Sequence, residues 1–455
     1  MLEKNQTPQI GLTPRLGLFT AIMMVMGSII GSGIFKKIAP MTLKLQSQNL
    51  VMICWIVAGL ITLFGALTYA EIASRIAQTG GLYAYLRAIY GKRTAYFFGW
   101  SCFAVIQSAS IASIAYVFAE ATIRVIPFSF YGLEIQALAI ATIIILTTIN
   151  YLGLLFGAVV ENLFTVLKIL GLLIIIVLSL MYNATSLPVN SFDSSLIYSP
   201  TGFNVIPLMF SAMLGAFWAF DGLNNVGFIG GEVQNARRNV PIALTVGVVG
   251  VLAIYLITNF AFFHALPVNE IIPMAMKSGS IFAIEMINQI SGTSWALFVS
   301  ILIMVSTLGA TNGSILTSSR IYYAMADDGV FFRPFKKIHP KFQTPSFALV
   351  AQAIWASVLV LWGTFDQLTD MLIVASFIFY GLGAYGIFIL RKQKNSVQSG
   401  PANSNFRVPS IIPIIYSVFC VILIIVMTFQ TPVETGTGFL LILLGLPIYM
   451  WIRQD

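Results

Sequence analysis

Two stretches of this sequence place glycine, serine, asparagine and aspartate inside apolar runs, where they weaken a helix and expose backbone polar groups. One is Gly27-Ser28-Ile29-Ile30-Gly31-Ser32-Gly33-Ile34-Phe35. The other is Gly215-Ala216-Phe217-Trp218-Ala219-Phe220-Asp221-Gly222-Leu223-Asn224-Asn225-Val226-Gly227. A helix interrupted there leaves free N–H groups at the start of one half and free C=O groups at the end of the other. The half beginning near Ser32-Gly33 presents a positive dipole end and amides that suit a carboxylate. Gly31 and Gly33 let a ligand approach the backbone, and Ser32 adds a hydroxyl donor. The preceding half ends near Ile29 with bare carbonyls that suit an ammonium, and a second set lies near Trp218 to Asp221. Together these describe the head group of an α-amino acid, although any small zwitterion or a bound ion pair satisfies the same geometry. Taken singly, either stretch is equally well explained by close helix packing of the small-xxx-small kind.

Lys168 and Asp221 are charges within apolar runs. A lysine near the bilayer centre is costly and faces the bundle interior. Its bland account is snorkelling to an interface, but Lys168 sits several residues from either edge of its run. Its ammonium can prop unwound backbone carbonyls, or bind and release a proton once burial has lowered its pKa. Asp221 can face a substrate ammonium, cap the second half of its span or pair with a neighbour, and a gating or capping role is preferred. Asn259 and the run Asn312-Gly313-Ser314 are polar interior candidates, with structural hydrogen bonding as the alternative. Trp218 and Phe220 pack, or close over a ligand as a gate. Tyr255, Tyr322 and Tyr323 read as interfacial or packed, and Lys36 and Lys37 as pointing to the outer headgroups. His264 and His339 fall at a span edge and in a loop, which gives a histidine relay no support.

The elements that must position these residues are set by composition. Of 455 residues, 58% are hydrophobic and 9% charged, with mean hydropathy +0.90. That is far below the roughly 25% charged of a soluble domain. Disorder, a coiled coil, a collagen-like rod, a disulfide scaffold and any sizeable soluble domain are excluded. Apolar windows fall at 16–38, 50–73, 95–123, 133–152, 159–182, 204–230, 241–264, 295–326, 346–363, 369–390, 410–429 and 438–452. In lipid every backbone group must be paired internally, and runs this long without alternation mean helices. The expected fold is therefore an all-α polytopic membrane protein with twelve transmembrane helices, helices 1 and 6 being discontinuous. An offset of five spans between two matched breaks means an inverted-topology repeat, and such breaks point to a transporter site.

The divisions follow: a tail over 1–14, a first repeat over 15–182, an outer loop over 183–203, a second repeat over 204–391, a linker over 392–409, and two appended spans over 410–455. The turn Gly80-Gly81 leads into an amphipathic cytoplasmic helix. Seventeen of the 24 lysines and arginines fall in tails and even-numbered loops, so the net charge of +8 is mostly topology. The positive-inside rule sets both termini in the cytoplasm of a cell-membrane protein. No nucleic-acid partner is expected. Cys54, Cys102 and Cys420 lie in or beside apolar spans without metal spacing, and read as inert thiols. No cofactor or metal is expected, the start lacks a cleavable apolar region, and the sequon at Asn183-Ala-Thr185 carries little weight.

The residues Gly31-Ser-Gly-Ile-Phe35, Gly80-Gly-Leu-Tyr83, Ala219-Phe-Asp-Gly-Leu-Asn-Asn225, Gly231-Glu-Val-Gln-Asn-Ala-Arg-Arg-Asn-Val-Pro241 and Asn312-Gly-Ser-Ile-Leu-Thr-Ser-Ser-Arg320 resemble the amino acid–polyamine–organocation superfamily, in particular its L-type amino acid transporter branch. The resemblance implies a five-plus-five inverted repeat with spans eleven and twelve appended. It also implies alternating access by a bundle of spans one, two, six and seven rocking against a scaffold. Carried over by motif, the substrate carboxylate would meet Ser32 and Gly33, and its amino group the carbonyls of Ile29, Trp218 and Asp221. Lys168 matches the branch's span-five lysine, linked to sodium-independent transport, and Ser108 would line the side-chain pocket. Leu223 stands where the family has tryptophan, and Phe262 replaces a span-seven tyrosine, removing a hydroxyl near the site. No cysteine lies between Glu120 and Glu134, so a disulfide-linked heavy subunit is not expected. The expected function is a secondary transporter of small neutral L-amino acids, working by sodium-independent exchange or proton-assisted uptake. A cationic amino acid or polyamine carrier would need acidic residues beyond Asp221 and Glu161. A non-translocating membrane sensor is the other alternative. No nucleophile, metal cluster or carboxylate pair suggests an enzyme.

Overall fold

The structure, a computed structural model, describes residues 16–76, 80–127, 129–153, 158–182, 205–222, 227, 233–277, 279–392 and 406–452. Ten helices among the described residues are long and apolar enough to cross a membrane. Two shorter apolar helices, Val205–Phe220 and Ser346–Trp362, stand where the sixth and ninth spans are expected. Leu223, Asn224, Asn225, the sequon at Asn183 and most of the 392–409 linker lie outside the described residues, as does the side chain of Glu161.

The first span is interrupted. Helix α1 (Leu18–Ile29) ends where Ile30 leaves helical space at φ −71° and ψ 89°. The chain turns through Gly31 and Ser32 and resumes as α2 (Gly33–Lys36) and α3 (Ile38–Leu45). Lys37 between them is itself helical, at φ −76° and ψ −17°, so the second half runs through to Gln46, whose left-handed φ of 48° stops it. Ser47 then caps α4 (Gln48–Arg75), its Oγ accepting from the Leu50 amide at 3.4 Å. Gly80 and Gly81, both at positive φ, open α5 (Gly81–Tyr90). Much of α5 is buried, including Leu82, Tyr83, Tyr85 and Leu86, so it is packed under the bundle rather than floating at an interface.

The third span joins α6 (Lys92–Ser101) to α7 (Gln107–Val125) through a single π-turn over Cys102–Ile106. Helices α8 (Glu134–Tyr151) and α9 (Ala158–Met181) follow. The helix of the sixth span, α10 (Val205–Phe220), stops in mid-run, and the chain turns at Asp221 and Gly222. Next come α11 (Ala236–Ala265), two short helices α12 (Val268–Met276) and α13 (Phe282–Ser291), and the long α14 (Thr293–Asp327). The chain ends in α15 (Ser346–Trp362), α16 (Phe365–Lys392), α17 (Ile411–Gln430), α18 (Pro432–Leu443) and α19 (Gly445–Ile452). Packing divides the bundle into two groups: α4 is packed against α10 and α11, with α1 also on α11, while α7 is packed against α8, α14 and α15. Helix α9 touches both groups through α1, α11 and α14.

Candidate functional site

The two interruptions meet. A methyl group at Gly33 would lie 2.5 Å from Ala219 Cα, and one at Gly222 would lie 2.5 Å from the Ser28 carbonyl oxygen. Only glycine permits both approaches, and Gly222 also takes φ +110°, which other residues rarely adopt. The broken ends of the first and sixth spans are thus in backbone contact.

The carbonyls at the end of α1 can be accounted for one by one. Met26 O accepts from the Ile30 amide at 2.8 Å, closing the last turn. Gly27 O accepts from Lys168 Nζ at 2.7 Å, the ammonium reaching it from α9 with its side chain buried. Ser28 O abuts Gly222, and Ile29 O lies 3.0 Å from the Tyr255 hydroxyl. The same hydroxyl lies 3.0 Å from Ala219 O in α10, while Trp218 O accepts from the Asp221 amide at 3.2 Å. Ser32 Oγ and Trp218 Nε1, at the two ends of this junction, are buried and have no hydrogen-bond partner. Burying such donors is costly unless something pairs with them.

The other candidates fall around this junction. Asp221 accepts from the Tyr380 hydroxyl of α16 at 3.0 Å. Phe220 lies against Trp55 and Tyr255, with ring centroids 5.9 and 5.1 Å apart. Trp218 stands edge-on to Phe365 at 6.2 Å. Ser108, just past the π-turn, donates to Phe103 O at 2.6 Å, and Tyr322 donates across to Cys102 O at 3.3 Å. Asn259 donates to Tyr255 O at 2.8 Å, and its Oδ1 is buried without a partner. Ser314 is buried in α14, its carbonyl accepting from Ser318, while Asn312 accepts from Asn150 at 2.7 Å. Cys54, Cys102 and Cys420 are free and buried.

Two readings of the sequence need correction. Lys36 and Lys37 do not point outward. Lys36 Nζ donates to Glu120 Oε1 at 2.7 Å, and Lys37 Nζ to Asp366 Oδ1 at 2.6 Å and Thr369 at 2.8 Å. Both ammonium groups also stand over the Phe365 ring, 4.4 and 4.5 Å from its centroid. The physical reason is that Glu120 and Asp366 offer charge partners at shorter reach than the headgroups. Beside them a cavity of about 130 Å³ is lined by Lys37, Lys44, Ser211, Asp366 and Asp370. The second correction concerns the span-seven hydroxyl. Phe262 packs edge-on against Phe282 at 5.1 Å, while Tyr255, two helical turns earlier, brings a hydroxyl to the junction. Tyr255, Asn259 and Phe262 follow the i, i+4, i+7 spacing of one helix face, a signal that pointed inward.

The family described as amino acid permease matches residues 16–452 of this chain. The chain is 29% identical to the serine/threonine exchanger SteT of Bacillus subtilis, over 98% of its own length and 99% of that protein. It is also 29% identical to the human b(0,+)-type amino acid transporter 1, over 98% of this chain and 90% of that one. Against the large neutral amino acids transporter small subunit 2 of Oryctolagus cuniculus it is 29% identical, over 97% of this chain and 80% of that protein.

Proposed function

Because the chain belongs to the amino acid permease family, we propose that it carries small neutral L-amino acids across the cell membrane by alternating access, without sodium, as an exchanger or a proton-assisted carrier. It is a multi-pass membrane protein and an amino acid transporter, not an enzyme. The observation that carries the finer reading is the junction of the two broken helices, where Ser32 Oγ and Trp218 Nε1 are buried and unmatched. A carboxylate presented there would pair with Ser32 and the amides opening α2, and an ammonium with the second lone pairs of the Ile29, Trp218 and Asp221 carbonyls. Lys168 on Gly27 O supplies a fixed positive charge at the end of α1, a position a sodium ion would otherwise be needed to fill. The side-chain pocket falls to Ser108 and the π-turn before it, with Phe220, Asn259 and Ser314 as gating groups.

Exchange is favoured by the likeness to the serine/threonine exchanger of Bacillus subtilis. A cationic substrate is disfavoured by Asp221, the carboxylate at the junction, which already accepts from Tyr380. Twelve crossings in a five-plus-five inverted repeat, with both termini cytoplasmic by the positive-inside bias, complete the reading. The test is uptake of a panel of labelled L-amino acids into proteoliposomes, with and without internal substrate, with and without sodium, and at several external pH values. Saturable flux that ignores sodium is expected. No saturable flux across the panel would refute the proposal, and ligand-induced thermal stabilisation without counterflow would turn it into a sensor.

A further inference from the structure

The second half of the first span, α10 and α16 enclose the cavity beside Lys37, about 130 Å³ in volume. Four charged side chains line it, Lys37, Lys44, Asp366 and Asp370, and their charges sum to zero. Only two of them are matched to each other: Lys37 Nζ donates to Asp366 Oδ1 at 2.6 Å, and to Thr369 at 2.8 Å. Among the described residues Lys44 Nζ donates only to Ser211, to its Oγ at 3.0 Å and its carbonyl at 3.4 Å. The Asp370 carboxylate has neither hydrogen bond nor ion pair among the described residues. Lys44 stands near enough to act on Asp370 electrostatically, but too far to pair with it. One uncommitted ammonium and one uncommitted carboxylate, on two different helices, thus face one small space. That space lies outward of the junction along both broken spans. Lys37 and Lys44 follow Gly33 by about one and three helical turns, and Ser211 precedes Ala219 by about two. Phe365 touches both places, with Trp218 edge-on at 6.2 Å and Lys37 Nζ 4.5 Å from its centroid.

Resting on the transport reading above, we propose that this cavity is an outer subsite which holds the zwitterionic head of a small amino acid before it passes to the junction, Lys44 taking the carboxylate and Asp370 the ammonium. A simple anion or cation answers one of the two groups and leaves the other to water. An α-amino acid carries both charges on one carbon and answers both, through bonds strengthened by charge on each side. A side chain with a charge of its own finds no third partner, because Lys37 and Asp366 are already joined. The subsite therefore selects neutral amino acids ahead of the junction.

The test is protection of Ala212→Cys, a reporter on the cavity wall, by L-serine against a membrane-impermeant thiol reagent. Labelling is read as the ratio with and without L-serine, so that changes in local charge cancel, and the three native cysteines are buried. L-serine should protect saturably, while acetate and methylammonium, each with one of the two charges, should not at the same concentration. Lys44→Gln and Asp370→Asn should each raise the protecting concentration by at least about tenfold, the worth of one bond to a charged group. Lys44→Arg, which keeps the charge, should retain protection. Gly33→Ala disturbs the junction and should leave the protecting concentration within about twofold, since sites this far apart act independently. Protection that follows Gly33→Ala and ignores Lys44→Gln would report the junction alone and overturn the subsite. So would no protection, or equal protection by acetate, in a protein with saturable amino acid flux, and each of these results leaves the transport reading intact. The expected protection without flux for any amino acid of the panel would refute the transport reading and leave the subsite standing. Neither protection nor flux would overturn both.

Discussion

Replacing Lys168 with methionine separates what the lysine does for transport from what it does for the fold. Its Nζ donates to Gly27 O at 2.7 Å, a charge-assisted bond to a carbonyl that the helix break has left without an amide. A hydrogen bond to a charged group contributes about 1.5–3 kcal/mol, roughly ten- to a hundredfold in an equilibrium that depends on it. Against this, a lysine at the centre of a span costs about 2.5–3.5 kcal/mol on insertion. Methionine fills similar length with a flexible apolar chain. The two effects therefore pull apart: Lys168→Met should insert at least as well as wild type and melt no lower. Counterflow in proteoliposomes should drop by at least tenfold, because the end of α1 has lost the group that fixes it. The assay pairs counterflow with thermal unfolding of the same purified protein. Wild-type flux in the variant would refute the reasoning, and so would a loss of flux that merely tracks a lower melting temperature.

Gly33→Ala should raise the half-saturation concentration at least tenfold, since the added methyl meets the Ala219 backbone at 2.5 Å and forces the broken spans apart; an unchanged value from transport kinetics would show the junction is not the binding site. Glu120→Gln should loosen the Lys36 end of α2, because removing one partner of a buried pair costs about 3 kcal/mol. With Ala212→Cys as reporter in the cavity beside Lys37, labelling by a membrane-impermeant thiol reagent should speed up several-fold over the Ala212→Cys parent, against three native cysteines that are buried; equal labelling rates would remove the pair from any closing role. Glu71→Gln should lower the detergent melting temperature more than a surface change does, because this fully buried carboxylate accepts from Arg75 at 2.8 Å, Arg391 at 2.6 Å and the Val408 amide at 2.9 Å. A wild-type melting temperature would mean those bonds are made equally well to the neutral amide.

What could be read from the sequence was governed by the backbone. Glycines beside polar residues in an apolar run announce a break wherever they occur, so the interruption at Ile30 to Ser32 and the stop at Phe220 were expected within a residue or two. Lys168 was legible because a lone charge in lipid has few places to go. Charges near a span end were read wrongly, since Lys36 and Lys37 look the same in sequence whether they face headgroups or carboxylates 84 and 329 residues away. The Tyr255 hydroxyl was overlooked because a tyrosine in an apolar helix is amphipathic and suits an interface as well as a core. The π-turn at Cys102 to Ile106 left no mark, for nothing in Cys-Phe-Ala-Val-Ile distinguishes it from α-helix.

The choice of charged rather than apolar contacts around Phe365 has a physical consequence for opening. An apolar plug is held by burial, and wetting it costs free energy throughout the movement. A buried ion pair behaves differently, because the attraction gained on closing is nearly cancelled by the desolvation of both ions. Once water enters, each ion recovers its hydration, and the loss on separation is small. Lys36 with Glu120, the buried pair, therefore holds α2 firmly only while the site stays dry, whereas Lys37 meets an Asp366 whose side chain is already exposed. The Phe365 ring, with both ammonium groups near its face and Trp218 at its edge, is on this reasoning the expected barrier to water. Phe365→Ala should therefore raise thiol labelling at Ala212→Cys more than Glu120→Gln does. The reverse ranking would mean that the ion pairs, and not the ring, keep this end closed.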